Sequence, residues 1–164
     1  MSGLSFTHYL PKLALAVMLS VSLAACASNK NKTDLSAAGA AVPGSQQDFV
    51  VNVGDRVYFT VDSSALTQQS QATLMKQAQW LNQYPNYSVT VEGHADERGT
   101  REYNLGLSAR RGDAVKNFLI SQGVPAGRLR MIAYGKERPV AVCDEERCWN
   151  QNRRAVTVLG GAGS

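Results

Sequence analysis

Arg111 stands where a charge is out of place. Leu107, Ala114, Val115, Phe118 and Leu119 recur with the spacing of one helical face, and Arg111 falls four residues after Leu107 and four before Val115, on the same stripe. Arg110, one position earlier, is rotated by about 100° and reaches solvent. An unpaired charge driven into a core costs several kcal/mol, so Arg111 needs partners. The nearest supply of acid is the loop Glu92-Gly93-His94-Ala95-Asp96-Glu97-Arg98-Gly99, which closes the preceding strand and brings Asp96 near the first turns of the helix. Two readings of this juxtaposition are open. One is an internal ion pair at the seam between helix and sheet. The other is a clamp for a zwitterion, in which Arg111 grips a ligand carboxylate in bidentate fashion while a carboxylate grips the ligand ammonium.

Other reactive side chains are few. His94, Asp96 and Glu97 invite a metal site or an acid–base pair, yet the chain holds only two histidines, His8 and His94. A catalytic zinc takes about three protein ligands and keeps an open position, which this inventory does not supply. Ser108 has no imidazole but His94 to act as its base. No catalytic residue, metal or cofactor is therefore expected, and the chain does not read as an enzyme. Asn152-Arg153-Arg154 opens a strand and reads as fixing a loop edge through hydrogen bonds rather than as an anion site.

The elements that must position these groups alternate. Residues 56–61 have strand composition, and Asp62-Ser63-Ser64 offers cap chemistry before a helix over 66–84. Residues 87–92 alternate Val89 and Val91 with Ser88 and Thr90, as a half-buried strand does. A second helix is predicted over 102–122, with Gly123 at its stop. A strand over 128–134, a long loop over 135–152 and a strand over 153–159 complete the series. Two strand–helix–strand units in succession predict an α/β (α+β) sandwich of order β-α-β-α-β-β, its helices packed on one four-stranded sheet.

The 164 residues leave room for one domain and an appendage. Hydrophobic residues at 44% supply a core, and a net charge of +4 from scattered basic residues falls short of a nucleic-acid binder. Lys12 precedes an apolar run from Leu13 to Ala25 broken only by Ser20 and Ser22. A membrane span needs ~20 apolar residues and a signal-peptide core ~7–15, so residues 1–25 read as an export leader. Leu23-Ala24-Ala25-Cys26 resembles a bacterial lipobox, which makes Cys26 the lipidated first residue of the mature chain. Ala27 and Ser28, rather than Asp, follow it, as in lipoproteins sent to the outer membrane. Residues 26–47 are small and polar with Pro43 and Gly44 near the end, a flexible linker with a root-mean-square span of roughly 25 Å. The domain occupies 48–159 and a frayed tail 160–164. Export favours a disulfide between Cys143 and Cys148 that shapes the long loop, the alternative being two unpaired thiols.

Glu92 to Thr100, then Tyr103-Asn104, Leu107-Ser108, Arg110-Arg111 and Val115, and later Tyr134-Gly135-Lys136-Glu137-Arg138-Pro139 and Asn152-Arg153-Arg154, together resemble the OmpA-like peptidoglycan-binding domain, in order and at family-like spacing. The resemblance spans residues 57–159. It implies a mixed four-stranded sheet and a site for the free end of meso-diaminopimelate in the wall's stem peptide. By position it implies that Asp62, Asp96 and Arg111 bind that ligand and that Leu107 offers its backbone N–H; for Asp62 a helix-capping role is equally open. For an outer-membrane lipoprotein with its domain in the periplasm, the resemblance further implies peptidoglycan, TolB and other Tol–Pal components as partners. The competing expectations are an OmpA-like lipoprotein without Tol partners, and a wall hydrolase, against which the depleted catalytic inventory argues.

Overall fold

The structure is a computed structural model, and it describes residues 41–161. The leader over 1–25, Cys26, most of the linker over 26–47 and the end of the 160–164 tail lie outside the described residues. Strands β1 (Arg56–Tyr58), β2 (Val89–Gly93), β3 (Leu129–Ala133) and β4 (Arg154–Leu159) alternate with helices: α1 (Gln46–Asp48) precedes β1, and α2 (Gln68–Gln83), α3 (Arg101–Ser121) and α4 (Glu146–Asn152) lie between successive strands. The sheet order is β1-β4-β2-β3. β2 and β3 run parallel, while β4 is antiparallel to both β1 and β2. This is the α/β sandwich that the alternation of elements predicts, on the mixed sheet that the family resemblance implies.

The alternation of β2 sends Val89, Val91 and Gly93 into the core and leaves Thr90 and Glu92 half-buried. Leu74, Ala78 and Leu81 of α2, Val115 and Leu119 of α3, and Val57, Phe59, Leu129 and Ala155 close over it. Gln77 is buried among them but not idle: its Nε2 donates to the Gly54 carbonyl at 2.6 Å and its Oε1 accepts from Thr157 at 2.7 Å. Arg128 donates to the carbonyls of Leu81, Tyr84 and Tyr87, satisfying acceptors at the end of α2 and in the turn that follows it.

Glycines bring β2 and α3 together. A Cβ on Gly93 would overlap the Ser108 carbonyl oxygen, and one on Gly112 would lie 2.7 Å from Met131 Cγ. The close approach carries the loop that leaves Gly93 directly onto the first turns of α3.

Several boundaries differ from the sequence reading; the first strand, expected over 56–61, ends at Tyr58. The cap of α2 is Thr67, whose Oγ1 accepts from Ser70 N at 3.1 Å, and not the Asp62-Ser63-Ser64 run. Asp62 instead turns the chain with φ 52°, because the segment after β1 is held elsewhere, as described below. The end of the 135–152 loop coils into α4, where Cys148 and Asn152 alone are buried, so no apolar stripe announces the helix. Residues 44–47, expected in the linker, belong to the folded unit. Tyr87 Oη donates to the Gly44 carbonyl at 2.8 Å, Trp80 Nε1 donates to Asp48 at 2.8 Å, and Phe49 is fully buried against Trp80.

Candidate functional site

Arg111 is the largest fully buried side chain among the described residues, and no carboxylate pairs with it. Its Nε donates to the Ser63 carbonyl at 2.8 Å, Nη1 to the His94 carbonyl at 2.9 Å and Nη2 to the Thr60 carbonyl at 3.1 Å. The internal Arg111–Asp96 ion pair is therefore not what balances the buried charge; backbone acceptors do. One side chain on α3 thereby fastens the segment after β1 and the loop after β2, which explains why residues 60–63 leave the sheet early. Burial draws the guanidinium down to about 10, opposed by the charges of Asp96 and Asp62, so it remains charged at neutral pH. Of the five N–H groups on a guanidinium, these bonds use three.

Asp96 is paired with other arginines. Its Oδ2 accepts from Arg98 Nη2 at 2.7 Å and from Arg153 Nη1 at 3.2 Å, while Oδ1 accepts from the Arg98 backbone N–H and Nε. Burial pushes the carboxyl up, but these bonds outweigh it and hold it below the usual carboxylate value. Arg153, itself 5% exposed, also donates to the Phe59 carbonyl and to Glu146. Asn152 ties Val140 and Ala141 through three side-chain bonds, and Arg154 donates to the Arg138 carbonyl. All three residues of the Asn152-Arg153-Arg154 run thus bond within the fold.

Asp62 is exposed, and Tyr103 Oη from the first turn of α3 donates to its Oδ1. It caps no helix. Leu107 is the seventh residue of α3, beyond the first turn whose N–H groups lack intrahelical acceptors, so what it brings to the site is a side chain and not a free N–H. Asp62, Asp96, Leu107 and Arg111 nevertheless all line one pocket of about 310 Å³, together with Val61, Arg98, Gly99, Tyr103 and Asn104. Tyr103, Leu107 and Arg111 follow one another at a spacing of four, a helical signal that could have added Tyr103 from sequence. Asn104 holds the loop by donating to the Arg98 carbonyl at 2.7 Å. The placement of Arg98 carries no such signal, since it depends on a turn that folds its side chain back onto Asp96.

His94 enters the site only through its carbonyl. The residue is 2% exposed and its ring is stacked on Tyr134, with centroids 5.4 Å apart. Burial, then the charges of Arg154 and Arg138, lower it to about 4, so it is neutral at physiological pH. Among the described residues no group of three or more His, Cys, Asp or Glu is placed to hold a metal ion. Cys143 and Cys148 are joined as a disulfide with Cα atoms 5.7 Å apart, linking the long loop to α4. No helix among the described residues is long and apolar enough to cross a membrane.

Residues 58–154 match the model of the OmpA family. A peptidoglycan-associated lipoprotein of Rhizobium meliloti is 62% identical over 155 residues, an alignment covering 92% of this chain and 88% of that protein. One from Brucella melitensis is 60% identical over 156 residues, covering 92% and 93%. Among solved structures, the peptidoglycan-associated lipoprotein from Burkholderia pseudomallei is 38% identical, with a TM-score of 0.66 over 70% of this chain and 98% of that one.

Proposed function

The chain belongs to the OmpA family, among its peptidoglycan-associated lipoproteins, and from that premise we propose that its domain binds peptidoglycan without enzymatic turnover, taking the free end of meso-diaminopimelate in the Asp62–Asp96–Arg111 pocket. The observation that carries this reading is the convergence of two carboxylates and one buried guanidinium, from three separate segments, on a single cavity of about 310 Å³. The far end of a diaminopimelate side chain bears an ammonium and a carboxylate on one carbon, so it asks for acceptors and donors side by side. Arg111 keeps N–H groups that its three carbonyls do not use, and in this reading these donate to the ligand carboxylate. Asp62 and Asp96 offer the ammonium its counter-charge, and the Leu107 side chain gives the methylene carbons an apolar wall. The carbonyl tripod fixes the guanidinium before any ligand arrives, which reduces the ordering cost of binding.

In the same reading Cys26 is lipidated and holds the protein at the outer membrane, with the domain in the periplasm. The wall and TolB are its partners, TolB sharing surface around the Asp96 loop and the start of α3. Purified sacculi should pull down the full-length protein, and free meso-diaminopimelate should release it. Retention that free meso-diaminopimelate leaves unchanged would refute the pocket assignment. Mass spectrometry of the native protein should find an acylated Cys26 and no peptide from residues 1–25.

A further inference from the structure

Asp96 has no acceptor capacity left. A carboxylate offers about four lone-pair sites, and four donors fill them: the Arg98 backbone N–H at 3.2 Å, Arg98 Nε at 3.3 Å, Arg98 Nη2 at 2.7 Å and Arg153 Nη1 at 3.2 Å. The ligand ammonium of the proposed function therefore finds that acid already occupied. The two arginines differ in how firmly they are held. Arg153 is buried and bonded to two further acceptors. The Arg98 side chain is 39% exposed and lines the pocket, and apart from its bonds to Asp96 it lies on the face of Trp149, its Cζ 4.0 Å from the ring centroid, with the charges of Glu146 and Glu97 nearby.

Resting on the proposed function, we infer that Arg98 is an internal competitor for the ammonium subsite: its guanidinium sits on Asp96 as a stand-in for the ligand's amine and gives up that place when the amine enters. The exchange replaces one cation by another on the same carboxylate, so the acid is never left without a counter-charge. The guanidinium already lies over Trp149 while it is bonded to Asp96, and it keeps that surface when the acid is surrendered, since a cation is held over an indole face without needing a fixed acceptor. Its Nε1 donates to Glu97, which anchors the ring beside the loop. Arg98 then determines specificity in a stated way. A ligand carrying a carboxylate alone leaves the Arg98–Asp96 contact in place, whereas an amine must break it, and affinity for the amine is held below what Asp96 by itself would give.

The test uses detergent-solubilised full-length protein, titrated calorimetrically with a meso-diaminopimelate muropeptide while tryptophan emission is followed. Arg98→Ala should bind about fivefold more tightly than the parent, the weight of one partly exposed ion pair, and Arg98→Lys should fall between them. The muropeptide should change the emission of the parent, and this change should vanish in both Arg98→Ala and Trp149→Phe, because in each the cation no longer shifts over the indole. Equal or weaker binding by an Arg98→Ala variant whose circular dichroism matches the parent overturns the inference while leaving the proposed function intact. Failure of the parent itself to bind the muropeptide overturns the proposed function and the inference with it.

Discussion

Replacing Arg111 by leucine separates a side chain that merely interrupts an apolar stripe from one that organises a pocket. On the stripe alone, leucine should be welcome, and the domain should fold at least as well as before. The carbonyls of Ser63, His94 and Thr60 argue otherwise, because the substitution leaves all three without a donor. The His94 carbonyl bond is buried, and its orphaned acceptor costs about 1–3 kcal/mol. The other two bonds are only part-buried, so water recovers much of their loss and each costs about 1 kcal/mol or less. Relief from burying a charge offsets part of the sum, leaving a net destabilisation of about 2–3 kcal/mol, or about 8–12 °C in melting temperature for a domain of this size. Thermal unfolding followed by circular dichroism measures it directly, with exposed Arg110→Leu as a neighbour expected to change little. Binding of the muropeptide should be lost in Arg111→Leu well below its melting temperature. Arg111→Leu melting with the parent would refute the tripod, and unchanged binding would refute the clamp.

The remaining expectations concern pH, the disulfide and TolB. His94 takes its proton near 6.5 in the unfolded chain and at about 4 in the folded one. The unfolded state therefore binds more protons between those values, and stability should fall as pH drops from about 6.5 to 4. His94→Phe, which keeps a ring against Tyr134, should flatten that part of the stability–pH curve in denaturant titrations, and an unchanged slope would sink the argument. Asp96 is depressed when folded, so its contribution is present above about pH 4 and should disappear below it in the parent but not in Asp96→Asn. Exchanging both Cys143 and Cys148 for serine should cost about 2 kcal/mol, as expected for so short a closed loop, and leave wall binding measurable; a double mutant that fails to fold would show that the loop does more. TolB and muropeptide should exclude one another in surface-plasmon competition, and a ternary complex at full affinity for both would contradict a shared site.

The sheet, the two long helices and Arg111 were legible because each leaves a periodic mark: Val89 and Val91 alternate, Leu107, Val115 and Leu119 keep to one helical face, and a charge on that face is conspicuous. The partners of Arg111 were not legible. Backbone carbonyls accept hydrogen bonds from any residue type, so Ser63, His94 and Thr60 carry no mark of the role, and the nearest acid, Asp96, was the natural but mistaken partner. Asp96 turned instead to Arg98, two residues on, and to Arg153, 57 residues on. Neither pairing can be read from spacing. Helix α4 escaped because two buried positions in seven residues do not establish a period. Residues 44–47 escaped because what docks them is a pair of long-range hydrogen bonds, from Tyr87 and through Asp48 from Trp80.

That docking has a mechanical consequence. β1 is an edge strand joined to β4 by three register pairs, from Arg56↔Val156 to Tyr58↔Arg154. A pull on the chain ahead of it, applied straight to Arg56, would open those rungs one at a time, the weakest way to load a ladder. The chain does not reach β1 first. It meets the Tyr87–Gly44 and Trp80–Asp48 bonds and the buried Phe49 ring, all of which hand tension to α2 and the turn that follows it. With Cys26 lipidated and the domain on the wall, as proposed above, strain along the chain between them would be taken up by a helix and an aromatic cluster before the sheet is pulled at all, so the arrangement would work as a strain relief at the point where the cable enters the fold.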